Sequence, residues 1–145
     1  TPRMLTLAII KPDAVRAGHA GQILAQLEAA GFAVRAARLV KLTPAQAEAF
    51  YEVHRERPFY RSLVTFMTSG PSLALALERG DAVTQLRDAI GATDPAEAKP
   101  GTVRKLYAES KERNAIHASD SPANALREIA FFFPESELRE LWAGP

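Results

Sequence analysis

The sequence predicts a single α+β domain in which a four-stranded antiparallel sheet carries helices on one face. The chain has 145 residues, of which 47% are hydrophobic and 24% charged, an ordinary composition for one globular domain. Apolar runs of strand length alternate with stretches of helical periodicity along the whole chain. No low-complexity linker or repeat interrupts this alternation, so we predict one domain over residues 1–145.

The first third of the chain predicts two strands around one helix. Residues 4–10 form an apolar run that stops at Lys11-Pro12-Asp13, as a buried strand would. Residues 21–30 have apolar positions at helical spacing, and Gly31 follows where a left-handed helix end is common. Residues 32–42 are predicted as the second strand.

The middle of the chain predicts two helical pieces and a third strand. Thr43-Pro44-Ala45-Gln46 has the form of a capping box with proline at the first helical position, which predicts a helix running towards His54. Pro58 separates it from a second helical piece that ends near Ser69-Gly70. Residues 72–77 are predicted as the third strand.

The last part of the chain is less regular. Asp81 is predicted to cap a helix that runs to Ile90 and ends at Gly91. Residues 93–119 contain prolines, glycine and many charges, which predicts a long irregular segment; loops of that length in compact domains are usually functional or disordered. Ser121-Pro122 is predicted to start a helix that runs through Arg127, and residues 129–133 to form the fourth strand.

This order, β-α-β-α-β-α-β with an extra helix before the third strand, predicts a ferredoxin-like, split βαβ sandwich. That fold hosts many functions and identifies none of them.

Composition excludes several classes of function. The absence of cysteine removes disulfides, thiolate zinc sites and cysteine nucleophiles, and is compatible with a reducing compartment, so we expect a cytoplasmic protein. The longest apolar runs are far shorter than the roughly 20 residues that span a bilayer. A formal charge of +1 gives no global field for nucleic acid, so an anionic ligand would need locally converging cations.

Side chains would have to bind any phosphate, because neither G-x-x-x-x-G-K-[ST] nor G-x-G-x-x-G occurs. A cluster of polar and charged residues could do so, although by composition alone a solvated surface is the more ordinary interpretation. Its members are Lys11, Arg87, Thr93, Arg104, Asn114, His117, Ser119, Asp120 and Glu128.

The segment Asn114-Ala115-Ile116-His117-Ala118-Ser119-Asp120 is similar to the N-x-x-H-[GA]-S-D signature of the nucleoside diphosphate kinases. Further blocks resemble the family in the same order: Ile9-Ile10-Lys11-Pro12-Asp13-Ala14-Val15, His54-Arg55-Glu56-Arg57-Pro58-Phe59, Phe66-Met67-Thr68-Ser69-Gly70-Pro71, Gly91-Ala92-Thr93-Asp94-Pro95 and Arg127-Glu128-Ile129-Ala130. Together they cover residues 5–133, and the family's ferredoxin-like fold agrees with the element order.

The resemblance implies catalytic roles for five residues. His117 matches the phosphorylated nucleophile, a role that requires a neutral imidazole with a free lone pair. Glu128, together with Ser119, matches the group that orients the ring. Lys11 matches a lysine that contacts phosphate and sugar, and Tyr51 a residue near the γ-phosphate.

Further nucleotide contacts are implied at Arg87, Thr93 and Arg104 for the phosphates, Phe59 for the base and Asn114 for the ribose. Two arginines there would stabilise the charge of a phosphoryl-transfer transition state. Asp120 is expected to contact Mg²⁺ through water, with the metal held mainly by the nucleotide. His19 and His54 receive no catalytic role.

The implied activity is transfer of the γ-phosphoryl group from ATP to nucleoside and deoxynucleoside diphosphates by a ping-pong mechanism, with broad base tolerance. A homo-oligomer is implied, with a hexamer favoured over a tetramer and Lys99-Pro100-Gly101 at subunit contacts. The chain departs from the family's commonest pattern at Ala118, which follows the nucleophile, and at Lys105-Leu106. We interpret Ala118 as benign.

Three other classes fit less well. A regulatory module that binds nucleotide without turnover would not need both His117 and Glu128. A phosphocarrier would not need Phe59, Asn114 and several phosphate-binding cations. A nucleic-acid-binding protein would be expected to show a basic surface, whereas this chain has 18 basic and 17 acidic residues.

Overall fold

The computed structural model describes residues 2–137 and contains four strands and seven α-helices in that part of the chain. In chain order they are β1 (Arg3–Ile10), α1 (Pro12–Arg16), α2 (Ala20–Ala29), β2 (Ala33–Val40), α3 (Pro44–Phe50), α4 (Tyr60–Met67), β3 (Ser72–Gly80), α5 (Ala82–Ile90), α6 (Val103–Tyr107), β4 (Ile116–Ala118) and α7 (Pro122–Phe132). The predicted domain, 1–145, includes residues 1 and 138–145, which lie outside the described part, so its bounds stay a prediction.

The four strands form one sheet in the order β2-β3-β1-β4, and every neighbouring pair is antiparallel. The central pairing of β1 with β3 runs over the whole of β1, from Arg3 opposite Gly80 to Ile10 opposite Leu73. β4 pairs only with the end of β1, where Ile9 lies opposite His117. The predicted four-stranded antiparallel sheet is confirmed.

Helices cover both faces of this sheet. Alternate side chains of β1 point to opposite sides: Leu7 packs in a cluster with α3, α4 and α7, whereas Ile10 packs in a second cluster with α2 and α5. The prediction of helices on one face therefore describes the layer of α2 and α5 only. The second layer arises because β1 is buried from Leu5 to Ile10 on both sides, which requires apolar cover on each.

The local signals in the first half of the chain predicted their elements well. Gly31, just beyond α2, has a φ of 96°, the left-handed conformation expected at that position. Thr43 and Gln46 form both hydrogen bonds of the capping box at the start of α3. The predicted continuation to His54 is wrong in detail, because α3 ends at Phe50 and a separate 3₁₀ turn, Glu52–His54, follows.

The predicted fourth strand at residues 129–133 is wrong, since α7 runs without a break to Phe132. Ile129 and Phe132, three residues apart, are buried in the same cluster, which is helical rather than alternating burial. The fourth strand is instead the three-residue β4, inside the segment predicted to be irregular. A short apolar run fits a buried helix as well as a strand, which explains the error.

Two other details differ from the predictions. Asp81 precedes α5 but does not cap it with its side chain, because its backbone is left-handed, with a φ of 52°. The segment 93–119 also contains α6 in addition to β4. Within residues 2–137, no helix is both long and apolar enough to cross a membrane.

Candidate active site

His117 lies in the middle of β4, at the point where the sheet ends against α3 and α7. Its side chain is 19% exposed, so one part of the ring is packed and another is open to solvent. The ring of Phe50 meets it edge-on at 5.4 Å between centroids, and the ring of Tyr51 does so at 6.2 Å. These contacts fix the plane of the imidazole and leave an accessible side.

Glu128, on α7, reaches across to His117. Its Oε1 lies 2.9 Å from His117 Nε2 and also accepts a hydrogen bond from Ser119 Oγ at 2.7 Å. Burial alone would raise the pKa of Glu128, but the hydrogen bonds from His117 and Ser119 and the charges of His117 and Arg127 lower it below its ordinary value. Glu128 is therefore ionised at neutral pH and accepts both bonds.

This contact determines which ring nitrogen of His117 is free. An ionised carboxylate only accepts hydrogen bonds, so the proton of a neutral imidazole resides on Nε2, beside Glu128. The lone pair of the neutral ring is then on Nδ1. The arrangement offers a nucleophilic nitrogen whose tautomer and orientation are both set by Glu128.

Lys11 and Asn114 are joined beside His117. Lys11 Nζ donates to Asn114 Oδ1 at 2.8 Å, and Asn114 Nδ2 donates to the backbone carbonyl of Thr93 at 3.2 Å. Burial, reinforced by the charge of Arg104, lowers the pKa of Lys11 to about 8, although the charge of Asp13 opposes the shift. Lys11 is therefore a buried cation whose position is held by Asn114.

Arg104, from α6, is fixed by two backbone carbonyls. Its guanidinium donates to Gly91 O at 3.0 Å and to Ile116 O at 2.8 Å. Gly91 has a φ of 89°, and a Cβ there would lie 2.5 Å from Thr102 Oγ1. Glycine is therefore required at this position, whose carbonyl binds Arg104. Burial and the charge of Arg87 lower the pKa of Arg104 to about 10, which leaves it charged at neutral pH.

The other predicted contacts lie around this centre. Arg87 and Thr93 are exposed, and the charge of Arg87 acts on both Arg104 and Asp120. Phe59 is 46% exposed, and its ring lies 5.4 Å from that of His54.

Tyr51 is buried, and within residues 2–137 its hydroxyl has no hydrogen-bond partner. Burial and the charge of Glu128 raise the pKa of Tyr51, so its hydroxyl stays protonated and can donate.

Asp120 is the predicted metal contact. Its Oδ1 accepts a hydrogen bond from Asn124 Nδ2 at 2.6 Å, and chiefly for this reason its pKa is lowered. Among residues 2–137 there is no group of three or more histidine or carboxylate side chains that could hold a metal ion. Asp120 thus offers a single exposed carboxylate rather than a protein cage.

The sequence did not single out three residues of this region. Phe50 packs against the His117 ring, and His54 lies between Tyr51 and Phe59, at 6.5 Å and 5.4 Å between ring centroids. Asp13 accepts a hydrogen bond from the backbone N–H of Ala115. Phe50 had no signal beyond its closeness to Tyr51, whereas His54 and Asp13 belong to blocks that resembled the family.

Comparison with known proteins identifies relatives over nearly the whole chain. Residues 5–138 match the family model described as nucleoside diphosphate kinase. The nucleoside diphosphate kinase of Sorangium cellulosum is 55% identical over 133 residues, which cover 92% of each chain. That of Bordetella avium is also 55% identical, over 90% of this chain and 92% of the relative.

Solved structures agree with these matches. The nucleoside diphosphate kinase of Aquifex aeolicus superposes with a TM-score of 0.92 at 45% identity, covering 94% of this chain and 99% of that one. The Halobacterium salinarum enzyme, solved in complex with CDP, gives a TM-score of 0.90 at 37% identity, covering 94% and 91%.

Fold and matches define the class of the protein as a phosphotransferase on a ferredoxin-like sheet. More specifically, the chain belongs to the nucleoside diphosphate kinase family, enzymes that transfer phosphoryl groups between nucleotides.

Proposed function

We propose that the enzyme transfers the γ-phosphoryl group of a nucleoside triphosphate, typically ATP, to a nucleoside diphosphate through a phosphohistidine at His117. In the first half-reaction the lone pair of Nδ1 attacks the γ-phosphorus, the bond to the bridging oxygen breaks, and the diphosphate leaves. In the second half-reaction a terminal oxygen of the diphosphate attacks the phosphorus, the bond between phosphorus and Nδ1 breaks, and His117 is regenerated.

The observation that supports this proposal most directly is the contact of Glu128 Oε1 with His117 Nε2 at 2.9 Å. It keeps the proton on Nε2 during attack, and as Nδ1 acquires the phosphoryl group the carboxylate stabilises the positive charge that develops on the ring. Ser119 holds the same carboxylate oxygen at 2.7 Å, which restricts its movement. The roles of Glu128 and Ser119 are therefore orientation and charge stabilisation.

Four residues would bind the phosphates in this proposal: Lys11, Arg87, Thr93 and Arg104. Lys11 and Arg104 are buried and anchored by Asn114 and by backbone carbonyls, so they need little reorganisation when charge develops on the phosphoryl group. Tyr51 contributes a buried hydroxyl near the imidazole. Asn114 would bind the ribose hydroxyl, and Phe59 would stack on the base.

Magnesium fits this site as a metal that arrives with the nucleotide. Mg²⁺ takes one or two carboxylates and keeps several waters, and the one exposed carboxylate of Asp120 suits contact through water. When bound, the ion would neutralise part of the phosphate charge. The residues of the chain still orient the nucleophile and the phosphates.

We also propose a cytoplasmic homo-oligomer, with a hexamer favoured over a tetramer. All three residues of the proposed contact segment, Lys99-Pro100-Gly101, are exposed. The segment is held against α2, because Gln26 Nε2 donates to Gly101 O at 2.8 Å. The mass of the protein in solution, measured by light scattering, distinguishes six subunits from four.

The test of the function uses ATP labelled at the γ-position. The wild-type protein should take up label without an acceptor, and added GDP should remove it as labelled GTP. The label should be lost in acid and retained in mild alkali, as a phosphoramidate is. Acid-stable label, typical of serine or threonine, would overturn the assignment of His117.

Two alanine variants complete this experiment. His117→Ala should take up no label. His19→Ala provides the matched control, because His19 packs against Tyr107 at 4.9 Å between rings and not against the site. It should be labelled like the wild type.

A further inference from the structure

The backbone just before His117 is in an unfavourable conformation. Ala115 has a φ of 73°, a region that residues with a Cβ rarely adopt, and it is fully buried. The N–H of Ile116 donates to the carbonyl of Asn114 at 2.9 Å, which closes a three-residue turn around Ala115. Such a γ-turn with positive φ is rare and strained.

This turn links two functional parts of the site. Asn114, on one side of Ala115, binds Lys11 Nζ, and His117 lies two residues beyond on the other side. Any relaxation of the turn would change the direction of the chain between the two side chains. Strained backbone persists only where the surroundings hold it, so contacts must hold Ala115.

Two contacts hold the Ala115 backbone, one from Asp13 in the first turn of α1 and one from Lys11, the residue between β1 and α1. The N–H of Ala115 donates to Asp13 Oδ2 at 3.1 Å, and its carbonyl accepts from the N–H of Lys11 at 2.9 Å. The Lys11 bond is made by backbone and would survive any side-chain substitution. Asp13 is buried, and its carboxylate holds a chain segment 102 residues away in sequence.

We infer that Asp13 is a positioning residue for phosphoryl transfer, whose carboxylate keeps Ala115 in the γ-turn that places Asn114 and His117 relative to each other. The inference rests on the proposed function in taking His117 as the nucleophile. Asp13 itself contacts neither nucleotide nor the reacting nitrogen in this account. It acts through the backbone of Ala115.

A different role for Asp13 would be purely electrostatic, because its charge favours the protonated form of Lys11. Asp13→Asn separates the two roles. An asparagine oxygen can still accept the hydrogen bond from Ala115 but carries no charge. If Asp13 positions the turn, Asp13→Asn keeps most of the transfer rate, whereas Asp13→Ala loses on the order of 10- to 100-fold in kcat.

Glycine at position 115 provides the second part of the test. Glycine adopts positive φ without steric penalty, so the turn should then depend less on Asp13. Ala115→Gly alone should leave transfer nearly unchanged, and in the Asp13→Ala background it should recover most of the lost kcat. Ala76→Gly, another buried alanine but within β3, should recover nothing in that background.

The experiment measures kcat and KM for phosphate transfer from ATP to GDP, with unfolding by urea as a check on folding. If Asp13→Ala does not fold, Ala115→Gly should restore folding where Ala76→Gly does not. Wild-type rates for Asp13→Ala would overturn the inference, as would equal losses for Asp13→Asn and Asp13→Ala or the absence of rescue by Ala115→Gly. Labelling of the wild type is measured separately, so failure of the His117 assignment is distinguishable from failure of the Asp13 inference.

Discussion

At the scale of single residues, one carboxylate oxygen determines the state of the imidazole. Glu128 Oε1 accepts hydrogen bonds from both His117 and Ser119. Because the pKa of Glu128 is lowered, this carboxylate is ionised at neutral pH and can only accept. The hydrogen bond between Glu128 and His117 acts on the imidazole ring, and Glu128 makes no contact with the nucleotide in the proposed function. Its loss should therefore affect the reaction more than binding.

Glu128→Gln tests this directly. A glutamine would present a neutral oxygen or an amide to Nε2, so the developing positive charge on the ring would lose its stabilising partner. We expect the rate of His117 phosphorylation in a single turnover to fall by on the order of 100-fold while nucleotide affinity changes little. Glu97→Gln, an exposed carboxylate in the segment before α6, provides the control. If Glu128→Gln weakened nucleotide affinity and left the rate of His117 phosphorylation unchanged, Glu128 would have no role in the chemical step.

Lys11 gives the site a pH dependence on the alkaline side. Burial and Arg104 lower its pKa to about 8, so in the free enzyme it becomes neutral as the pH rises through that value. Phosphate binding needs the charged form, and kcat/KM should therefore fall above about pH 8. Bound phosphates favour the charged lysine, so kcat should fall only at higher pH.

The measurement is the pH profile of both constants for wild type and Lys11→Arg. Arginine stays charged, so the alkaline decline of kcat/KM should move to higher pH in the variant even if its activity is lower. A wild-type profile that stays flat up to 10.5, the ordinary lysine value, would contradict the assignment.

At the scale of elements, local signals predicted structure where the determinants are local. Thr43 and Gln46 satisfy each other within one turn, and Gly31 ends a helix through its own φ. β4 has no such signal, because three residues become a strand only by pairing with β1 more than 100 positions away. The same holds for the site. The resemblance indicated His117 and Glu128 from the sequence, whereas the contact of Asp13 with Ala115 joins residues 102 positions apart and is visible only in the fold.

Residues 129–133 allow a quantitative test of helix against strand. The helix buries Phe132, which is 3% exposed, and leaves Phe131 36% exposed, whereas a strand that buried Ile129 would bury Phe131 and expose Phe132. We expect Phe132→Ala to lower the free energy of unfolding by about 3–5 kcal/mol and Phe131→Ala by clearly less. Urea unfolding of both variants gives the comparison. The reverse order of losses would contradict the helix.

At the scale of the whole molecule, the assigned contacts address the parts that all nucleotides share. In the proposed function Lys11 and Arg104 would bind the phosphates and Asn114 the sugar, and only Phe59 would contact the base. Stacking accepts every base because each has a π-face, and strong discrimination would require buried hydrogen-bonding groups. The half-exposed Phe59 ring offers a stacking surface of this kind.

Phosphate transfer from ATP to GDP, ADP, UDP, CDP and dTDP, measured at equal magnesium and pH, tests this tolerance. All should be accepted, with efficiencies that differ by roughly 10- to 100-fold and larger bases preferred. Deoxyribose should be accepted too. A preference of roughly 10⁴-fold for one base would require a hydrogen-bonded base pocket that this account does not contain.

We propose that His117 Nδ1 accepts the phosphoryl group because Glu128 holds the proton on Nε2. Nuclear magnetic resonance of the phosphorylated protein, labelled with nitrogen-15 in histidine, identifies the bonded nitrogen through its coupling to phosphorus. We expect a single phosphohistidine at residue 117, bonded through Nδ1. Phosphorus bonded to Nε2, or found on Ser119, would contradict it.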